Sequence, residues 1–348
     1  LGGDEEAEGA NYEQEQNKLR EISLEYEEAE LITATKNFEP SRKLGSGNYG
    51  AVYKGTLRDG HDVAIKVLQI EDGGDGGFAD EVRVLSKFRH PNLVTLMGWG
   101  MGKGDEGRHR RFLVYEMMCG GDVSHRLAAC RPNDGDAAYK PFMWDERLWV
   151  GLDAACGLSH MHNMTPRAFH RDIKGPNILL DKNGTAKMAD FGLSCVSSGS
   201  AHKVAQASGT VGYACPEYIR TGIVTEGSEA HSFGMVLLEM LTGAPPAVQR
   251  PDKPNEFCYL VDHLQGNPER VITMLDASAD FPVPMAEKMT EVAFRCIAQN
   301  SAQRPLFKQL VEELRCLLNG TEKSQGHMSA ATTPQLPQKP QEAGKQES

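Results

Sequence analysis

The chain lacks any apolar run of about 18 residues, the minimum for a membrane-spanning helix, so no membrane contact is expected from this segment. A basic, apolar leader is missing too, because the first residues are acidic and do not read as a secretory signal. Eight cysteines lie scattered at positions 119, 130, 156, 195, 215, 258, 296 and 316, without a C-x-x-C pair. That pattern offers no disulfide framework and points to reduced thiols in a cytoplasmic setting. Long basic runs are absent; Arg108–Arg111 and Lys36–Lys43 are too short to build the field that a nucleic acid requires. There is no initiator methionine: Leu1 opens the chain, so the expectation is a fragment or processed product that could be the cytoplasmic part of a longer membrane receptor.

What is present is enough for a sizeable core: 348 residues, 40% of them hydrophobic. The net charge of −11 is concentrated at the start, where residues 1–30 carry 11 acids against Lys18 and Arg20. Residues 1–30 therefore read as an acidic, disordered head. Residues 319–348, rich in Pro, Gln, Ser and Lys, read as a disordered tail. Within that tail, Pro334-Gln-Leu-Pro337-Gln-Lys-Pro340 holds two P-x-x-P spacings that an SH3-type groove could accept, although a plain tail is the simpler expectation.

Between these ends the pattern is strand-like first and helical later. Val63, Ile65 and Val67 alternate with Ala64 and Lys66, which puts the latter two on one face of a strand. Phe78, Val82, Leu85 and Phe88 follow at helical spacing, as do Phe307, Leu310, Val311, Leu314 and Leu317 near the end. Glu71–Gly77 and Arg131–Pro141 read as exposed loops. A hinge is expected at 117–121, after the apolar strand Phe112–Tyr115.

The stretch Leu44-Gly45-Ser46-Gly47-Asn48-Tyr49-Gly50-Ala-Val52 fits G-x-G-x-x-G-x-V. Alone, this glycine spacing also suits a dinucleotide-binding turn, but such a turn must run into a helix. Here Val52-Tyr-Lys-Gly-Thr-Leu and an Asp59-Gly60 turn follow, the context of a hairpin over phosphates. Sixteen residues after Gly50 stands Lys66 in Val-Ala-Ile-Lys, and fifteen further stands Glu81 on the Phe78–Phe88 helix. A lysine that neutralises phosphate oxygens needs an acid to hold its flexible stem. Taken singly, both residues would read as surface charges; their order behind the glycine loop argues otherwise.

His170-Arg171-Asp172-Ile-Lys174-Gly-Pro-Asn177 and Asp190-Phe-Gly192 then match H-R-D-x-x-x-x-N and D-F-G in order and spacing. From about residue 38 to 318 the chain resembles the eukaryotic protein kinases. Ala34-Thr-Lys-Asn-Phe38, His90–Trp99, Leu113–Glu116 and Ser232–Gly243 narrow the resemblance to plant receptor-like kinases and the Pelle and interleukin-1-receptor-associated kinases. These are tyrosine-kinase-like serine/threonine kinases.

The resemblance implies an α+β, two-lobed fold: a small antiparallel-sheet N-lobe with one helix (about 38–116), a hinge at 117–121 and a larger, mainly helical C-lobe (about 122–318). It implies transfer of the ATP γ-phosphoryl group to protein serine or threonine, with magnesium as cofactor and manganese as an alternative ion. Asp172 would receive or orient the substrate hydroxyl, Asn177 and Asp190 would bind the metal, and Lys174 and Thr210 would support the transfer. Leu44, Val52, Ala64, Tyr115, Met118 and Leu179 would surround the adenine, with Tyr115 as gatekeeper; for Val52 and Leu179 an ordinary core role is nearly as good a reading.

Two departures bear on activity. Cys215-Pro-Glu217 replaces the usual A-P-E, with Arg304 as the expected partner of Glu217. Glu229 stands where the family places an aspartate that binds the catalytic-loop backbone, and its extra methylene is expected to misplace the carboxylate. On that ground a pseudokinase, a nucleotide-binding scaffold, is the alternative. Arg171 beside the base suggests control by activation-segment phosphorylation, for which Ser197, Ser198, Ser200 and Ser208 are candidates. Cys119 and Cys195 are the thiols expected near the nucleotide, more simply read as bystanders.

Overall fold

β-Branched alternation in the first third of the chain builds a sheet whose two faces are both covered. The computed structural model describes residues 16–47, 50–69, 77–103, 109–129 and 141–325. Strands β1 (Lys43–Gly47), β2 (Gly50–Thr56), β3 (Asp62–Gln69), β4 (Leu96–Lys103) and β5 (His109–Glu116) form an antiparallel sheet in the order β1-β2-β3-β5-β4. Val63, Ile65 and Val67 join Phe112 and Val114 in a cluster on one face, while Leu113 and Tyr115 join the main core on the other. This is the period of two expressed as burial.

Helix α3 (Phe78–Lys87) lies on that second face, with Phe78, Val82 and Leu85 buried. Its cap, Gly77, has φ +78°, and a Cβ there would meet the Gly192 carbonyl oxygen. Only glycine lets the start of α3 approach the D-F-G backbone so closely.

Two short helices precede the sheet: α1 (residues 16–20) and α2 (Glu28–Ala34). Leu19 and Leu31 are fully buried. The expected disordered head therefore does not extend through residues 16–30, and the N-lobe carries more than one helix. The long acidic content masked a few well-spaced apolar residues that find a ready-made surface. Residues 1–15, like the expected loops over most of 71–77 and 131–141 and the P-x-x-P stretch, lie outside the described residues.

The C-lobe comprises α4 (Val123–Ala129), α5 (Trp144–Asn163), α6 (Pro216–Thr221), α7 (Glu226–Thr242), α8 (Leu260–Leu264), α9 (Pro268–Thr273), α10 (Val283–Cys296) and α11 (Phe307–Gln325). Helix α11 runs past residue 318, where the tail was expected to begin. At the centre, α7 starts with a reciprocal cap between Thr225 and Ser228 and ends at Gly243 with φ +65°. It is buried along most of its length and packs on α10, while α5 packs on α11. Four two-stranded ladders complete the lobe: β6 (Arg167–Phe169) with β9 (Cys195–Ser197), β7 (Ile178–Leu180) with β8 (Ala186–Met188), β10 (Ala201–Lys203) with β11 (Ile223–Thr225), and β12 (Ala247–Arg250) with β13 (Lys253–Tyr259). The first two present the segments that hold the 170–177 and 190–192 motifs.

Candidate active site

Lys66 points from β3 into the cleft and meets two acids from distant parts of the chain. Its Nζ lies 3.0 Å from Glu81 Oε2 on α3 and 2.7 Å from Asp190 Oδ1. Burial disfavours the ammonium, yet the two carboxylates outweigh it and hold Lys66 above its usual pKa. Burial likewise works against the Asp190 anion, and the Lys66 charge overcomes it, keeping that carboxyl below its ordinary range.

Glu81 is only 1% exposed. Its second oxygen accepts from the Tyr115 hydroxyl at 2.6 Å and from the Phe191 N–H at 3.1 Å. The Tyr115 hydroxyl is thus spent on the α3 carboxylate rather than directed at an adenine. Burial first, and the Glu81 charge second, push its pKa well up. Sequence reasoning placed Tyr115 at the pocket but missed this bond, since neither residue type nor spacing announces it.

Around Asp172 the side chains converge. Oδ1 accepts from Thr210 Oγ1 at 2.7 Å, and Oδ2 accepts from Lys174 Nζ at 2.6 Å and from Asn177 Nδ2 at 3.1 Å. Lys174 also donates to Thr210 Oγ1 at 3.0 Å. Asn177 gives its amide nitrogen to the Asp172 carbonyl as well, at 2.8 Å, which leaves its oxygen as the atom for a cation. That oxygen and the Asp190 carboxylate are hard donors of the kind a small divalent ion takes. His170 fixes the loop behind them: Nε2 donates to the Ala189 carbonyl at 3.0 Å, and the ring packs on Phe191 with centroids 4.7 Å apart. Both Arg171 and Asp190 are non-glycine residues at positive φ, +71° and +64°, the kind of strain that clusters at working sites.

Glu229 reaches the catalytic loop despite its extra methylene. Oε1 accepts from the Arg171 N–H at 2.5 Å. Oε2 lies 2.8 Å from His162 Nε2 but off the hydrogen-bond direction, and that ring is stacked flat on Phe307. The expected misplacement is therefore not seen: the longer side chain bonds the backbone next to Asp172.

Arg171 donates to three neutral oxygens, the Tyr218 hydroxyl at 3.0 Å, the Leu193 carbonyl at 2.7 Å and the Gln206 carbonyl at 3.1 Å. Of the phosphorylation candidates, Ser208 is tied to the same hydroxyl through its N–H, 3.3 Å from Tyr218 Oη. Ser197 ends β9, and Ser198 and Ser200 lie in the turn between β9 and β10. Arg304 Nη1 lies 3.7 Å from Glu217 and 3.2 Å from the buried Cys215 sulfur. Cys119 is exposed beyond β5, whereas burial pushes the Cys195 thiol up to about 12.

The adenine candidates differ in exposure, and Tyr115 is the buried one. Val52, Ala64, Met118 and Leu179 are half-buried, and Leu44 is 49% exposed. Val52 pairs with Lys66 and Ala64 with Tyr115 in the sheet, and Leu179 bridges to Asp122 just past the hinge. Gly45, Ser46 and Gly47 belong to β1, and Gly50 opens β2 at φ +146°, where a Cβ would meet the Val67 carbonyl oxygen. Asn48 and Tyr49 lie outside the described residues.

This two-lobed cleft, with an ion-paired lysine above and an anchored aspartate below, defines a protein kinase domain. The family model for protein tyrosine and serine/threonine kinases matches residues 38–314, and the chain belongs to that family. Among curated proteins of Arabidopsis thaliana, it is 36% identical over 301 residues to "Probable serine/threonine-protein kinase PBL8", covering 83% of this chain and 70% of that one. It is 33% identical over 331 residues to "Serine/threonine-protein kinase PCRK1", covering 91% and 76%. It is 34% identical over 304 residues to "Receptor-like serine/threonine-protein kinase ALE2", covering 86% of this chain but 39% of that relative. The chain thus spans little more than a third of that receptor-like protein. ATP and a divalent ion are the cofactors that the family uses, and no helix among the described residues is long and apolar enough to cross a membrane.

Proposed function

We propose that the chain transfers the γ-phosphoryl group of ATP to serine and threonine hydroxyls of proteins, using magnesium, with manganese as an alternative ion. The observation that carries this reading is the anchoring of the Asp172 carboxylate by Thr210, Lys174 and Asn177. An acceptor hydroxyl beside Asp172 gives its proton to that carboxylate, its oxygen bonds to the γ-phosphorus, and the bond to the bridging oxygen breaks to release ADP. Lys174 stands where it can follow the negative charge of the transferring group. Asn177 and Asp190 would hold a divalent ion, which would supply screening of the phosphate charge. The names of the relatives support serine and threonine as acceptors, and unpaired thiols at all seven described cysteines support a reducing compartment.

Ser208 is the best placed candidate for regulation, because its backbone N–H already meets the Tyr218 hydroxyl to which Arg171 donates, and a phosphate on it could replace the neutral partners of that guanidinium. The alternative of a nucleotide-binding scaffold rested on Glu229, and the bond from the Arg171 N–H to that side chain removes its basis.

The test is phosphate incorporation, with ATP and magnesium, into a generic basic protein and into the chain itself, compared with Asp172→Asn. Incorporation on serine or threonine that vanishes in the variant is expected. ATP binding without incorporation in the native chain refutes the reading.

A further inference from the structure

Residues 16–34 precede the stretch matched by the family model, which begins at 38, yet they are built into the sheet. Strand β4 is an edge strand, a row of backbone groups in need of partners. The segment satisfies part of that edge: the Tyr26 N–H donates to the Trp99 carbonyl at 2.7 Å, and the Trp99 N–H donates to the Leu24 carbonyl at 2.9 Å. Glu25 and Trp99 form a parallel bridge, and Gln16 reaches the Met101 sulfur at 3.1 Å.

Three alternate glycines of β4 make room for this strap. A Cβ on Gly98 would meet Leu24 and Tyr26, one on Gly100 would meet Leu31 and Tyr26, and one on Gly102 would meet the Glu28 carboxylate. The strap then wraps the edge so that its side chains enter both faces of the sheet. Leu31 and Ala34 join the cluster of Ile65, Phe112 and Val114. Leu19, fully buried, joins the opposite core with Trp99, Phe78, Val82 and Leu85. Phe78 opens α3 and packs edge-on against Trp99, with centroids 6.1 Å apart, three residues before Glu81.

We infer that the strap is a positioning element for phosphoryl transfer, in which Leu19 acts through the Trp99–Phe78 contact to keep Glu81 within reach of Lys66. The inference deepens the kinase reading above and rests on it. The strap reaches both faces of the sheet, the one that carries α3 among them. Removing the Leu19 side chain opens a void in the core that Leu19 shares with Trp99 and Phe78, which loosens the support of α3 and lets the helix leave its paired position. If the paired state falls to a tenth of the population, apparent ATP affinity weakens roughly tenfold.

The experiment is a double-mutant cycle of Leu19→Ala and Glu81→Gln in the full chain, read as ATP affinity with magnesium by fluorescence competition. Leu314→Ala, a fully buried site on α11, serves as a control for lost stability. Leu19→Ala is expected to weaken ATP binding roughly tenfold, to do so no further in the Glu81→Gln background, and to exceed the effect of Leu314→Ala at matched loss of Tm. Equal effects of Leu19→Ala and Leu314→Ala, or additivity with Glu81→Gln, overturn the inference. Should Leu19→Ala fail to fold, Leu19→Val enters the same cycle. Because affinity is read without phosphoryl transfer, failure here and failure of the kinase reading are seen separately.

Discussion

Replacing Glu229 by aspartate, the residue that the family resemblance implies there, is expected to impair this chain rather than improve it. The Glu229 oxygen sits 2.5 Å from the Arg171 nitrogen, and the side chain is 3% exposed. Shortening it withdraws the carboxylate by up to one C–C bond, about 1.5 Å, so the contact opens toward roughly 4 Å, beyond hydrogen-bond range. Two consequences add. A part-buried donor and a buried carboxylate lose their partner, at about 1 to 3 kcal/mol. Arg171 is also released from φ +71°, a conformation that costs on the order of 1 to 3 kcal/mol when nothing enforces it. Relaxation of Arg171 moves Asp172, its neighbour, and a shift of ~1 Å at a reacting group can lower the rate about 100-fold.

The assay is steady-state phosphorylation of a basic protein by the native chain, Glu229→Asp and Glu229→Gln, with unfolding midpoints measured alongside. The expected order of kcat is native, then Glu229→Gln, which keeps the reach and loses the charge, then Glu229→Asp. A Glu229→Asp variant as active as the native chain, or more so, refutes the claim that the loop is built around the longer side chain.

Three further outcomes are expected. Tyr115→Phe removes the 2.6 Å bond to Glu81 and should lower the unfolding free energy by about 1.5 to 3 kcal/mol, the range for a bond to a charged group; denaturant titration checks it, and an unchanged midpoint counts against the bond. Thr210→Val takes away the donor to Asp172 and the acceptor for Lys174, so kcat should fall about 100-fold with KM for ATP little changed, and Thr210→Ser should recover most of it. The Lys66–Asp190 pair predicts a flat pH response. Asp190 is held below and Lys66 above their usual values, about 3.9 and 10.4. The stability each contributes is complete above the first and below the second, and is lost only as pH falls through the lowered Asp190 value or rises through the raised Lys66 value. The pair's contribution in the native chain should then be constant over roughly pH 5 to 9, whereas Lys66→Met leaves the burial of the Asp190 carboxyl unopposed. The native chain's stability advantage over the variant should therefore grow as pH rises above about 4; an advantage that stays constant refutes the paired assignment.

The catalytic motifs were legible because each is short and local: 170–177 and 190–192 are brief stretches of chain with fixed internal spacing. Thr210 was legible through resemblance, although 38 residues separate it from Asp172. The adenine candidates were likewise legible through resemblance. What stayed hidden depends on reach rather than on pattern. Whether a glutamate can do an aspartate's work at position 229 is decided by where α7 lies relative to the loop, a distance no motif encodes. The strap was hidden by its acidic composition, although the alternation of Gly98, Gly100 and Gly102 on a strand was a signal that another backbone would approach there.

Glu81 shows why the site depends on elements far from it. Its two oxygens are shared among Lys66 on β3, Tyr115 at the end of β5 and the Phe191 backbone, partners 15, 34 and 110 residues away. With 1% of its surface exposed, it cannot exchange these partners for water, so each lost contact leaves a buried charge short of a donor. The carboxylate is satisfied only when α3, the sheet and the 190–192 turn are all in register. Nucleotide binding through Lys66 therefore reports on the packing of α3, and through α3 on whatever holds its first turn against β4.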